Sequence, residues 1–430
     1  MKLAYKNLIP LIVIILLMAS IGSSGYSAKI TVHGFKIFIP ELILFVWALI
    51  GIPYLLSSRR SIDRKYLLLA LMILGLMAVS SVFSIQPVVS FKETLRWGEI
   101  FAAFFLTAHL VRRAVDVKVI LLVIILMGIF QSLWGMMMLN NGAEGRIFTG
   151  YFDNPNFLSQ YLNFSLPLTL ALLFSEKDFG WKIGWIYCLI IIGVSLYLTR
   201  SRGSWVSNGC VAGLFSLIYL YQKTGKEIFM RIQRRIISVS FTGLMILFFI
   251  LLFAVSLAPG LTEAVLKETE SGASKDASSR FYYYATGLRI IEDFPLIGVG
   301  GNLYNQVAPY YIPFYIPKDW SEELKTTHLH NLYIKLAAEN GILTLLAFLF
   351  FLSRAGKDIL SALPALKGER GWLLAGTGGS TLVWLLHVMV ETGTSHFLGI
   401  QWGIIFGLAI SLKRIEWENE KEQLERISNR

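Results

Sequence analysis

Two histidines, His328 and His330, stand two residues apart in THLHNLYIKLAAENG (327–341), directly before an apolar run of membrane-helix character. Two arginines, Arg200 and Arg202, have the same spacing in TRSRGSW (199–205), wedged between two apolar runs with almost no linker. A fifth residue, Arg280, opens the aromatic stretch RFYYYATGLR (280–289). A guanidinium offers a rigid fork of donors that grips phosphate or carboxylate. An imidazole exchanges a proton near neutral pH. Together these residue types predict the holding of an anionic group beside a proton transfer.

Each has a blander reading. The blander reading of Arg200 and Arg202 is two snorkelling side chains that meet lipid headgroups, although an arginine at membrane depth is costly enough to mark a functional site by default. The two cannot easily point the same way, and Arg202, beside Gly203 at a helix start, is the better inward candidate. Arg280 alone reads as a solvated arginine, and Arg289 falls about one face away, toward solvent. For the histidines three readings stand. A metal site would draw on His328, His330, Glu391 and His396, with Asp319 or Glu322 assisting, but no HExxH is present. A helix cap at Asn331 would leave the histidine beside it merely packed. A general base is favoured by the helix N-terminus, which keeps an imidazole neutral. His109 and His387 fall within apolar runs and read as packed or hydrogen-bonded.

These residues need elements to hold them, and the composition says of what kind. The 430-residue chain is 55% hydrophobic and only 16% charged, with a mean hydropathy of +0.60. Apolar runs of roughly 18 to 22 residues, each long enough to cross a bilayer core, recur along it. That pattern predicts an all-α polytopic membrane protein of about twelve spans, near 8–23, 37–56, 66–83, 94–111, 119–139, 157–174, 181–199, 203–221, 237–257, 331–353, 371–390 and 396–412. The start MKLAYKNLIPLIVIILL resembles a signal peptide but is read as an uncleaved first helix. Cys188 and Cys210 both lie in apolar runs, which leaves no disulfide framework and no cysteine-based metal site. No repeat suggests an inverted-repeat transporter.

With the N-terminus in the cytoplasm, one face receives SSRRSIDRK (57–65), VRRAVDVK (111–118), QKTGKEIFMRIQRR (222–235), the 354–370 connection and the basic tail. The other receives far fewer cations, so the net charge of +11 reflects the positive-inside rule rather than nucleic-acid binding. Four regions follow: nine spans over 1–257, an outer loop over 258–330, three spans over 331–412 and a charged tail over 413–430. The outer loop is long and too aromatic to be disordered throughout, with an amphipathic helix expected over 280–292 and DFPLIGVGGN as a turn. Even-numbered spans then begin at the outer surface. Their positive ends bring FKETLRW (91–97), DNPN (153–156), TRSRGSW and His330-Asn331 to one anion-attracting level. A phosphate-bearing ligand bound there must be lipid-linked or extracytoplasmic, and no GxxxxGK[ST] loop appears.

At these residues the chain resembles a known family. HNLYIKLAAENGILTLLAF (330–348) is similar to the signature of the O-antigen ligase/polymerase superfamily: His-Asn, an apolar helix, Glu, then Gly, after a large outer loop. SRGSW (201–205), the spacing from Arg280 to PLIGVG and RIFTGYFDNPNFLSQYL (146–162) support it. The resemblance implies a GT-C-type glycosyltransferase without metal or other cofactor. Its donor would be an undecaprenyl-pyrophosphate-linked glycan and its acceptor a sugar hydroxyl of lipid A core, met on the periplasmic side of the inner membrane. Position by position, it implies pyrophosphate binding by Arg202 and Arg280 and a general base in His330. His328 receives a secondary substrate-binding role, and Arg200 has no secure counterpart. A polymerase joining two polyprenyl-linked glycans is the alternative, because the motif does not encode the acceptor. A lipid-linked glycan transporter is the alternative from another class.

Overall fold

The computed structural model describes residues 11–21, 29–32, 35–57, 63–140, 148–152, 154–224, 275–313, 325, 328–363, 368–393 and 397–428. Among them run α1 (Leu11–Ile21), α2 (Ile39–Ser57), α3 (Arg64–Val82), α4 (Pro87–Leu110), α5 (Ala114–Asn140), α6 (Pro155–Ser175), α7 (Phe179–Leu198) and α8 (Arg202–Thr224). Then follow α9 (Lys275–Asp293), the single turn α10 (Tyr304–Val307), α11 (Leu332–Asn340), α12 (Ile342–Ala362), α13 (Gly368–His387) and α14 (Leu398–Ser428). Five are long and apolar enough to cross a membrane: α3, α5, α6, α7 and the Leu398–Ile415 part of α14. Charges interrupt others: α4 carries Lys92, Glu93, Arg96 and Glu99, and α12 carries Arg354, Lys357 and Asp358. Large apolar side chains such as Phe45, Leu49, Leu68, Leu71, Tyr187 and Ile190 stand exposed on α2, α3 and α7, as lipid-facing surfaces require.

The centre is aromatic. Trp97, Phe101 and Phe104 of α4 meet Phe348 and Phe351 of α12 mostly edge to face, with Trp97 and Phe348 centroids 5.2 Å apart at 87° and Phe104 and Phe351 at 5.3 Å. Trp402 of α14 stacks on Trp384 of α13 at 4.3 Å. Gly403 and Gly407 form a Gly-x-x-x-Gly stripe that lets α14 lie on the backbone of α4. Cβ atoms added there would fall 2.5 Å from the Ile100 carbonyl and 2.7 Å from that of Phe104. A cluster of charges ties one end of the bundle: Asp358 pairs with Lys413 at 2.6 Å and accepts the Tyr66 hydroxyl at 2.8 Å. The starts of α4, α6, α8 and α11 gather at the other end.

The all-α class holds, with one short addition and one correction to the spans. The addition is a hairpin: β1 (Lys29–Val32) and β2 (Phe35–Phe38) pair antiparallel, Lys29 opposite Phe38. Their β-branched and aromatic residues favour extended backbone, and α2 begins only after them. The span read over 331–353 is two helices, because Gly341 has φ 85° and ψ 159°. That conformation is open in practice only to glycine, and the Leu296 carbonyl lies where a Cβ would stand. The charged tail that begins at 413 is helical in continuation of the last span: α14 runs on through it to Ser428. The helix expected over 280–292 is present as α9, the span expected over 237–257 lies outside the described residues, and the other described helices overlap expected spans, except the single turn α10 in the 258–330 segment.

Candidate functional site

The site is built where α11 begins. Asn331 caps that helix, its Oδ1 accepting the Ile334 N–H at 3.0 Å, while its Nδ2 donates to the Met389 carbonyl at 2.9 Å. The Leu332 N–H donates to the Val388 carbonyl at 2.9 Å. One asparagine thus satisfies the helix start and clamps it to the segment that leaves α13. The capping reading of Asn331 and a separate bond for its histidine hold together.

His330 precedes the cap with φ 52°, an uncommon left-handed backbone for a residue with a Cβ. Its carbonyl accepts the Tyr284 hydroxyl of α9 at 3.1 Å, and the same hydroxyl lies 3.2 Å from the Met389 carbonyl. The His330 ring lies 5.6 Å from that of Tyr283. Its Nδ1 is 3.1 Å from Glu391 Oε1, which also accepts the Thr392 N–H at 3.0 Å. The histidine side chain is 23% exposed and that of Glu391 only 5%, so the carboxylate sits behind the ring and the ring faces out. Burial works against charge on Glu391. The His330 bond, the fields of His330 and His387 and the Thr392 N–H outweigh it and hold the carboxyl down at about 2.

Around this pair stand the other expected residues. Arg280 is half-buried on α9, four residues before Tyr284 and therefore on the same helix face one turn away. Arg289 pairs with Glu292 at 3.2 Å in solvent, as its position on the helix suggested. The start of α8 lies against the end of α13: a Cβ on Gly203 would fall 2.5 Å from Val390 Cγ2 and 3.4 Å from His387 Cδ2. Arg202, the first residue of α8, is exposed beside that contact, while Arg200 (φ 55°) is exposed in the turn between α7 and α8. His328 keeps solvent contact. Desolvation of its ring, the nearby Lys335 and His330 press its pKa below the usual histidine range. His387 is buried, with its Nδ1 unpartnered among the described residues, whereas His109 Nδ1 bonds the Phe105 carbonyl at 2.8 Å.

Behind α11 a second polar layer fixes the turn that follows α9. Lys335 lies 3.6 Å from Glu93 of α4 and 3.7 Å from Glu339, all three buried. The Glu339 carboxylate accepts the N–H groups of Asn302 and Tyr304, while its carbonyl accepts the Gly300 N–H at 2.7 Å and the Ser80 hydroxyl at 2.9 Å. The Gly301 N–H donates to Ser90 of α4 at 2.6 Å. GVGGN is indeed a turn, and this is what holds it. Below the α8 start, Ser204 bonds Ser159 at 2.9 Å and Asn163 at 3.1 Å, and Asn208 bonds Asn163 at 2.6 Å, joining α6 to α8.

Sequence reasoning weighed Glu391 only as a metal ligand and left Glu93, Lys335 and Glu339 without roles. For Glu339 the signal was available, as the Glu of the His-Asn…Glu-Gly pattern. For Glu391, 61 residues away in sequence, only the fold supplies it. Among the described residues no three His, Cys, Asp or Glu side chains lie close enough to hold a metal ion, and His396, Asp319 and Glu322 lie outside them.

A polytopic helical membrane protein with a histidine–carboxylate pair, arginines and clustered helix starts at one end is the class these features define. The O-antigen ligase family model matches residues 187–349, from within α7 to within α12, and supports the resemblance to the O-antigen ligase/polymerase superfamily. The match carries the coarse activity of that family, a glycosyltransferase-type membrane enzyme working on a lipid-linked glycan donor and a glycan acceptor. It includes Arg200, Arg202, Arg280, His328, His330 and Glu339, and it ends before Glu391. No curated protein is similar to the chain at a significant level.

Proposed function

We propose that the chain transfers a glycan from undecaprenyl pyrophosphate to a sugar hydroxyl of lipid A core, with inversion, at the outer face of the cytoplasmic membrane. His330 takes the proton of the attacking hydroxyl. The hydroxyl oxygen bonds to C1 of the glycan as the C1–O bond to pyrophosphate breaks, and the electron pair leaves on the pyrophosphate. Arg280 and Arg202 hold that charge, so no general acid is required. Arg200 and His328 line the approach. A positioned base of this kind contributes about 10²–10⁴-fold. No metal is needed in this scheme, and its partners are the donor, the acceptor and membrane lipids. The topology that accompanies it has twelve spans, both termini in the cytoplasm and the 258–330 loop outside.

The observation that carries the reading is the His330 ring, held by Glu391 at the end where α8 and α11 begin, its backbone carbonyl bonded by Tyr284, which lies one helical turn from Arg280 on α9. It lies within the segment that matches the O-antigen ligase family, except for Glu391. The test is transfer by purified protein in detergent with EDTA, a polyprenyl-pyrophosphate-linked glycan and lipid A core. Glycosylated lipid A core from wild type, and none from His330→Ala despite retained donor binding, is expected. Longer polyprenyl-linked chains without that product would make the protein a polymerase. Labelled donor crossing sealed vesicles, with neither product formed, would make it a transporter.

A further inference from the structure

We propose that Glu391 is the positioning residue of His330: its carboxylate holds the ring as the Nδ1–H tautomer, so that Nε2 is the atom that takes the acceptor hydroxyl proton. This rests on the transferase reading above and adds a residue that lies beyond the segment matched to the family.

An ionised carboxylate can only accept hydrogen bonds. Glu391 is buried, and although burial works against its charge, its Oε1 takes hydrogen bonds from the His330 side and from the Thr392 N–H at 3.0 Å, which favour the carboxylate and hold its pKa below the usual carboxyl range. The contact of 3.1 Å between Glu391 Oε1 and His330 Nδ1 therefore has one polarity, with Nδ1–H donating. Neutral imidazole carries one proton, so Nε2 bears the lone pair. The rest of the neighbourhood prevents the ring from turning away. Tyr284 holds the His330 carbonyl, Asn331 is fixed at both ends of its amide, and the Tyr283 ring lies beside the imidazole.

The charged and titratable groups around the pair are His328 before it, Lys335 and Glu93 behind it, His387 one turn before Glu391 on the same segment, and Arg280 and Tyr284 on α9. Glu391 is the one carboxylate among these that touches the ring. After proton transfer both ring nitrogens carry hydrogen, and the imidazolium is stabilised by the anion behind it until its Nε2 proton leaves to water on the outer side. This is the orienting role that a carboxylate plays behind a histidine base in other hydrolytic and transfer enzymes. In the serine-protease triad, changing that carboxylate to its amide lowers kcat about 10⁴-fold.

The experiment compares wild type with Glu391→Gln and Glu391→Asp in the transfer assay, across pH, beside ¹⁵N-histidine NMR of the full-length protein with His330→Gln for assignment. A wild-type His330 carrying its proton on Nδ1 is expected. In Glu391→Gln, kcat should fall by up to about 10⁴-fold, with donor KM unchanged. The acid limb of kcat should move to lower pH, because the imidazolium has lost its counter-charge. Glu391→Asp should recover part of the rate. A wild-type ring protonated on Nε2 alone overturns the inference whether or not the variants fold. So does a Glu391→Gln enzyme with unchanged kcat and unchanged acid limb. Failure of the transferase reading is distinct: wild type would then make no product while the NMR result stood on its own.

Discussion

The carboxylate of Glu339 accepts the backbone N–H of Asn302 at 2.8 Å and that of Tyr304 at 3.2 Å, so one side chain at the foot of α11 holds the turn that follows α9. The helix that follows the candidate base and the helix that carries Arg280 are thereby joined near their C-terminal ends. Lys335 and Glu93 share the charge. Glu339→Gln keeps the size but offers one acceptor oxygen in place of two and turns an N–H toward an N–H. Leaving one buried donor unsatisfied costs about 1–3 kcal/mol. The expected outcome is a lower thermal midpoint in detergent and slower transfer. The combination with Lys335→Met should cost less than the sum of the two single changes, since the two residues share one network.

Gly341 sets the break between α11 and α12. At φ 85° and ψ 159° any side chain is strained, by about 1–3 kcal/mol, and the Leu296 carbonyl fills the Cβ position. Gly341→Ala is expected to lose most folded protein. Gly75→Ala in the middle of α3, where a Cβ meets nothing within 4 Å, is the matched control and should be neutral or stabilising by up to about 1 kcal/mol. Comparable yields of the two variants by size-exclusion chromatography would show that the break is not required.

The helices were readable because lipid imposes long apolar runs, and α9 because Phe281, Tyr284, Leu288 and Ile291 repeat at helical spacing. The break at Gly341 was not, since the apolar run continues across it and only the Leu296 carbonyl packed against it demands glycine. The hairpin over 29–38 fell almost wholly in the connection between the first two expected spans, where two four-residue strands are too short to leave a clear periodic signal. His330 was visible through its place before an asparagine cap. Glu391 was not, because its partnership with His330 joins the ends of two different helices and leaves no periodic trace.

Gly203 marks where α8 meets the end of α13. The Cβ of Gly203→Ala would stand 2.5 Å from Val390 Cγ2, on the segment that leads directly to Glu391. Overpacking of this kind costs about 1–3 kcal/mol, and relief requires α8 or residues 387–391 to shift. Slower transfer with intact folding is expected for alanine, and for Gly203→Val a loss close to that of His330→Ala. Val390→Ala should rescue Gly203→Ala by vacating the contested volume. Transfer unaffected in all three would remove the α8 start from the site.

Arg280 offers the sharpest separation of binding from chemistry. It is half-buried one turn before Tyr284, whose hydroxyl holds the His330 backbone, so a guanidinium there can reach a ligand anion without displacing the base. A charge-assisted hydrogen bond is worth about 1.5–3 kcal/mol, or roughly a 10- to 100-fold change in an equilibrium constant. Arg280→Ala should raise the donor dissociation constant by that factor, whereas His330→Ala should leave it unchanged and abolish turnover. Arg280→Lys should recover only part of the affinity, because an ammonium is a point charge and cannot reproduce the two-pronged grip on a phosphate. Donor affinity identical in Arg280→Ala and wild type would take the pyrophosphate away from α9 and leave Arg202 to hold it.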